Sequence, residues 1–142
     1  MAAPLLFVAR RQLDAVVPFA TKTSGYAELK VQAFGYTSEP ILLAAAAASP
    51  ALFTADRSGR GQLAALNQNG SLNSPANPAS AGDVVTVYGT GFGVTTPSSQ
   101  DGVIDVSQVN FKVPDGLSLG AAAVVVSAGV FASPPGVTVA VK

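Results

Sequence analysis

A serine close to a lysine, Lys22-Thr23-Ser24, and a pair of aspartates, Asp101 and Asp105, are the groupings in this 142-residue chain that could drive a reaction. A Ser–Lys pair can form an acyl-enzyme without histidine. Two carboxylates can act as acid and base if a cleft separates them. Neither grouping comes with a third residue to position it. The chain has no His and no Cys, which removes the commonest general base and the commonest metal ligands. Strand-connecting turns are ordinarily rich in Lys, Thr and Ser, so Lys22 and Ser24 are read as turn residues. No catalytic residue, metal site or cofactor is assigned.

Gly89-Thr90-Gly91-Phe92-Gly93 follows a strand pattern as a dinucleotide loop would, but a phosphate loop needs a helix after it. The residues from Val94 onward read as loop, so a bulge or turn with positive φ is expected. Asp56-Arg57-Ser58-Gly59 and the Asp101–Asp105 stretch are Asp/Gly loops with too few carboxylates for a Ca²⁺ site, which leaves turn capping. Asn69-Gly70-Ser71 fits a glycosylation sequon, yet Asn-Gly between two apolar runs is first a hairpin signal. Of the aromatics Tyr26, Phe34, Tyr36, Tyr88, Phe92, Phe111 and Phe131, most are expected in the core or on a sheet face. Tyr36, at a turn, is the first candidate for a ligand contact. The weak binding candidates are therefore Tyr36, Asn69, Asp101 and Asp105.

Composition narrows the classes further. Eight Lys+Arg balance eight Asp+Glu, and charged residues make up 11% of the chain. No basic stripe is present to neutralise phosphates, so nucleic acid is excluded as a partner. The N-terminal MAAPLLFVARRQ places its arginines after the apolar stretch, the reverse of a signal peptide. Ile41–Ala48 is apolar but far short of the ~20 residues of a spanning helix, so no membrane partner is expected.

These candidates must sit on strands and turns. Leu13–Val17 and Val109–Val113 each run into a proline, which ends ladder pairing. Tyr26–Phe34 alternates like a half-buried strand. Ala121–Ala128 is almost wholly apolar, the pattern of a strand covered on both faces. Ile41–Ala45 and Val137–Val141 are strand-like, and Asp83–Tyr88 is a further strand. The chain also repeats itself. Gln12–Pro40 reappears as Gln108–Pro135, with Gln12 matching Gln108, Pro18 Pro114, Gly25 Gly120, Ser38 Ser133 and Pro40 Pro135. Gly35 falls on Val130 or its neighbour Gly129. A repeat of this size is a structural unit used twice.

The stretches Ala81–Gly93, Gln108–Pro114 and Val137–Val139 resemble an IPT/TIG-type immunoglobulin-like module. With Pro4–Val8, Pro50–Thr54 and the Asn-rich string Ala65–Pro78, nearly the whole chain is similar to the Solibacter-type uncharacterised C-terminal domain family. The resemblance implies immunoglobulin-like modules of large bacterial exported or surface proteins, with no established activity and no catalytic residues. Against that pattern the first module is present only as its second half, and the second is shortened between Gly93 and Gln108. The expected fold is thus all-β, an immunoglobulin-like β-sandwich built from two related half-modules. Residues 1–56 are a half-module and 57–142 a shortened module, packed as one unit. Missing strands leave open edges, so a homodimer by strand exchange or edge pairing is expected. The expected function is a non-catalytic structural or adhesive module, exported or at the cell surface, taking a protein or polysaccharide ligand. The alternative is a small promiscuous hydrolase using Ser, Lys or Asp.

Overall fold

The computed structural model describes residues 1–94 and 106–142, and all regular structure among them is β. Met1–Ala48 belong to one compact unit; Ser49–Gly93 with residues 106–142 belong to a second.

In the first unit, β1 (Leu5–Ala9) and β2 (Gln12–Ala15) form an antiparallel hairpin around Arg10-Arg11, with Ala9 opposite Gln12. β3 (Tyr26–Leu29) lies antiparallel to β6 (Ile41–Ala44), from Tyr26 opposite Ala44 to Leu29 opposite Ile41. Between them β4 (Gln32–Ala33) and β5 (Tyr36–Thr37) close a second hairpin. Its turn residues Phe34 (φ 50°) and Gly35 (φ 82°) are both left-handed, the signature of a type I′ turn. The single strand expected over Tyr26–Phe34 breaks after Leu29. Ser38 causes the break: its Oγ accepts from the Val31 amide at 3.0 Å and its own amide donates to the Val31 carbonyl at 2.9 Å.

The second unit contains β7 (Ala51–Leu52), β8 (Gly61–Gln62), β9 (Ala65–Leu66), β10 (Val84–Thr90), β11 (Ser107–Lys112), β12 (Gly120–Ala123), β13 (Ser127–Ala128), β14 (Phe131–Ala132) and β15 (Val137–Val141). One sheet runs β11-β10-β7, with β9 also on β10; the other runs β12-β15-β8, in which β8 and β15 are parallel. Strict alternation in Val84–Thr90 turns Val85 and Val87 inward, both fully buried. They meet Leu52, Leu63, Ala65, Val137, Val139 and Val141 in one core between the sheets. Each buried Val or Leu stabilises by about 1.5–3 kcal/mol. This is a two-layer, sandwich-like arrangement.

Ala121–Ala128 departs from the expectation of a strand covered on both faces. Ala122, Val124 and Val126 pack on the core while Ala121, Ala123 and Val125 face outward, so the stretch is a one-sided strand whose outer face happens to be apolar. It breaks after Ala123 for the same reason as its mate. Ser133 Oγ accepts from the Val126 amide at 3.0 Å and the Ser133 amide donates to the Val126 carbonyl at 2.8 Å.

The repeat therefore survives in three dimensions, down to single hydrogen bonds. β2 to β6 correspond to β11 to β15. Gln12 Nε2 donates to Asp14 as Gln108 Nε2 donates to Asn110. The hairpin registers Gln32–Thr37 and Ser127–Ala132 settle the ambiguous match: Phe34 corresponds to Gly129 and Gly35 to Val130. One residue, Gly136, is extra in the second copy, so that Ile41, Leu42, Leu43 and Ala44 correspond to Val137, Thr138, Val139 and Ala140.

Candidate functional site

The Asn-rich string builds a polar cluster in the second unit. Asn67 follows β9 and opens a tight turn: the Gly70 amide donates to the Asn67 carbonyl at 2.8 Å. Gly70 is left-handed (φ 79°) while Asn69 is not, so the turn is type I closed by a glycine bulge rather than type I′. Asn69 Oδ1 accepts from the Ser71 amide (3.0 Å) and hydroxyl (2.6 Å). Its side chain is thus occupied in holding the turn, the ordinary role of Asn there.

Asn73 is the centre of the cluster and is buried. Its Oδ1 accepts from the Ala140 amide at 2.8 Å and its Nδ2 donates to the Ala140 carbonyl at 2.9 Å. One side-chain amide thereby does for β15 what a neighbouring strand would do. Asn73 Nδ2 also donates to Asn67 Oδ1 (2.8 Å), Gln62 Nε2 donates to Asn73 Oδ1 (2.9 Å), and Asn67 Nδ2 donates to the Asn77 carbonyl (2.9 Å). Among the described residues every buried side-chain polar atom has a partner. A fully satisfied network of this kind specifies one arrangement of the chain. Beside it lies a shallow depression of about 380 Å³, edged by Asn67, Asn69, Asn77, Ser80, Asp83 and Lys142. Asp83 Oδ2 is engaged by the Ser80 amide at 2.8 Å.

The remaining sequence candidates fall in different units or outside the described residues. Tyr36 is largely exposed in the first unit, at the β4–β5 hairpin. Asn69 is in the second unit. Asp101 and Asp105 lie outside the described residues, as does most of the loop around them. Lys22 and Ser24 are exposed in the turn before β3. Among the described residues no group of three or more acidic, His or Cys side chains could hold a metal ion. Asp56 caps its own turn through the Ser58 amide and hydroxyl (3.0 and 2.7 Å). Those bonds, the backbone one first, hold its carboxyl below the usual carboxylate value. In the Gly89–Gly93 stretch, Gly91 is left-handed (φ 78°), and a Cβ there would overlap the Ser49 carbonyl. A Cβ on Gly89 would come within 2.5 Å of the Ala51 carbonyl. These glycines let β7 approach β10 closely and are not a phosphate loop.

The feature with most binding potential is one that residue chemistry did not point to. In the second unit the inward positions of the repeat are Val109, Phe111, Val113, Ala122, Val124, Val126, Val137, Val139 and Val141. Their mates in the first unit, read along the same registers, are Leu13, Ala15, Val17, Ala27, Leu29, Val31, Ile41, Leu43 and Ala45, all apolar. Yet Val137 is 3% exposed where Ile41 is 56%, and Val139 is 2% exposed where Leu43 is 46%. The sequence signal was present: the apolar positions of the half-module recur in both copies of the repeat.

Comparison with family models, curated proteins and solved structures finds no match.

Proposed function

We propose that the chain is a non-catalytic structural or adhesive module of a bacterial exported or cell-surface protein, with an immunoglobulin-like β-sandwich as its folded unit. The observation that carries this reading is the exposure, among the described residues, of the apolar half-module of the first unit. Exposed apolar area of this extent marks an interaction surface. The facing sheets of the second unit, with Asn73 tying the Asn-rich string to β15, support the resemblance to the Solibacter-type family and its IPT/TIG-like modules. Asn69 and the depression beside it are a secondary contact region for a protein or polysaccharide.

The hydrolase alternative is tested directly. A panel of p-nitrophenyl esters and phosphates is expected to show no turnover that survives repurification. Turnover that persists, and falls on Ser24→Ala or Lys22→Ala, would overturn the non-catalytic reading.

A further inference from the structure

The second unit shows what covers this half-module, because the same half is covered there by Ser49–Gly93. We propose that the first unit is an acceptor for a segment of that kind donated by another polypeptide. The donor is an alternating apolar strand like Val84–Thr90, a short edge strand like Gly61-Gln62, and an asparagine that plays the part of Asn73. The proposal rests on the adhesive reading above and names its partner.

Among the described residues, no strand pairs with either of the edges that the donor needs on the first unit. In the second unit the Val113 amide donates to Asp83 at 2.9 Å, so the odd-numbered residues of β11 face β10. Their mates on β2 are Leu13, Ala15 and Val17. β1 does not use that edge: the Val16 amide donates to Pro4 at 2.9 Å, which puts β1 on the opposite side of β2. On β15 the edge toward β8 is marked by Leu63 donating to the Thr138 carbonyl at 2.8 Å. The mate of Thr138 is Leu42. In β6 the Ala45 amide donates to the Gly25 carbonyl at 2.8 Å. Alternation along the strand then turns the peptide groups of Leu42 and Ala44 away from β3. Ala44 corresponds to Ala140, the residue that Asn73 clasps. The apolar face, the β10-type edge, the β8-type edge and the asparagine position all recur together.

In the second unit the Ser49–Gly93 segment is already engaged in the core with the second half-module. The proposed partner is a different polypeptide carrying a free segment of that kind, bound by strand addition.

The test uses the full chain and a synthetic polypeptide of residues 49–93 as probe, followed by native mass spectrometry and amide exchange. A one-to-one complex is expected, with the Leu42 and Ala44 amides slowed at least about tenfold and Val139 unchanged. A probe bearing Asn73→Ala is expected to lose the protection at Ala44. Three results would overturn the proposal: no complex with a monomeric chain; a complex that alters only residues 137–141, meaning the probe displaces the native segment; or protection of Leu42 and Ala44 in the chain alone through self-association. The last leaves the adhesive reading standing and removes only the donor, whereas persistent esterase turnover removes the reading itself.

Discussion

Leu43 and Val139 hold the same place in the repeat, on strands with the same neighbour and the same register, and they live in different environments. Val139 sits between two sheets; Leu43 faces outward. The two half-modules agree in their turns, their serine-made strand breaks and their Gln–Asp/Asn side-chain bonds. They differ in what lies on top. Local sequence thus builds the half-module, while burial depends on the Ser49–Gly93 segment. The comparison also gives that segment's polar residues a role: Gly89 and Gly91 let its own strands β7 and β10 approach closely, and Asn73 clasps the repeat at Ala140.

The largest break of this comparison comes from the core. Leu63→Ala, at a fully buried site, is expected to cost about 2–5 kcal/mol of unfolding free energy, while Leu43→Ala costs within about 0.5 kcal/mol. Urea denaturation of both variants reads the contrast, and equal losses would mean that Leu43 is buried in solution. Next is the clasp. Asn73→Ala strands the buried Ala140 amide, while the Ala140 carbonyl keeps the Ala79 amide at 3.0 Å, and is expected to cost about 1–3 kcal/mol in the same assay.

A smaller effect sharpens the first unit. Phe34 is fully exposed with a left-handed backbone where the second copy has Gly129. Phe34→Asn would give the Asn-Gly pair that a type I′ turn favours. It is expected to gain about 1 kcal/mol, seen as slower exchange of the Gln32 and Thr37 amides. The smallest effect is at Asp56, whose carboxyl is held below its ordinary value of 3.8. A lowered folded value means stability present above the unfolded pKa and lost as pH falls through the folded one. The denaturation midpoint of Asp56→Asn is expected to lie slightly below that of the parent at neutral pH and to merge with it in strong acid.

Much of this fold was legible in the residues. Prolines at 18, 114, 40 and 135 and the Val/Leu alternation located the strands, and the repeat announced two copies of one half. Ser38 and Ser133 were visible as matched residues, but not as strand breakers, because their effect depends on a partner seven residues earlier. Asn69 drew attention through its turn motif, whereas Asn73 mattered more. Its role depends on Ala140, remote in sequence, and no local pattern reports such a contact. The repeated apolar pattern was visible in both copies, yet which residues line the exposed face of the first required the registers of β3–β6 and β12–β15.

The most direct measurement is hydrogen–deuterium exchange at Leu43 and Val139 in the full chain. Both residues lie in equivalent antiparallel ladders, so ladder bonding is matched and only the cover differs. Leu43 is expected to exchange at least about a hundredfold faster than Val139. Equal protection at the two sites would contradict the account, since it would mean that the first half-module is as well covered as the second.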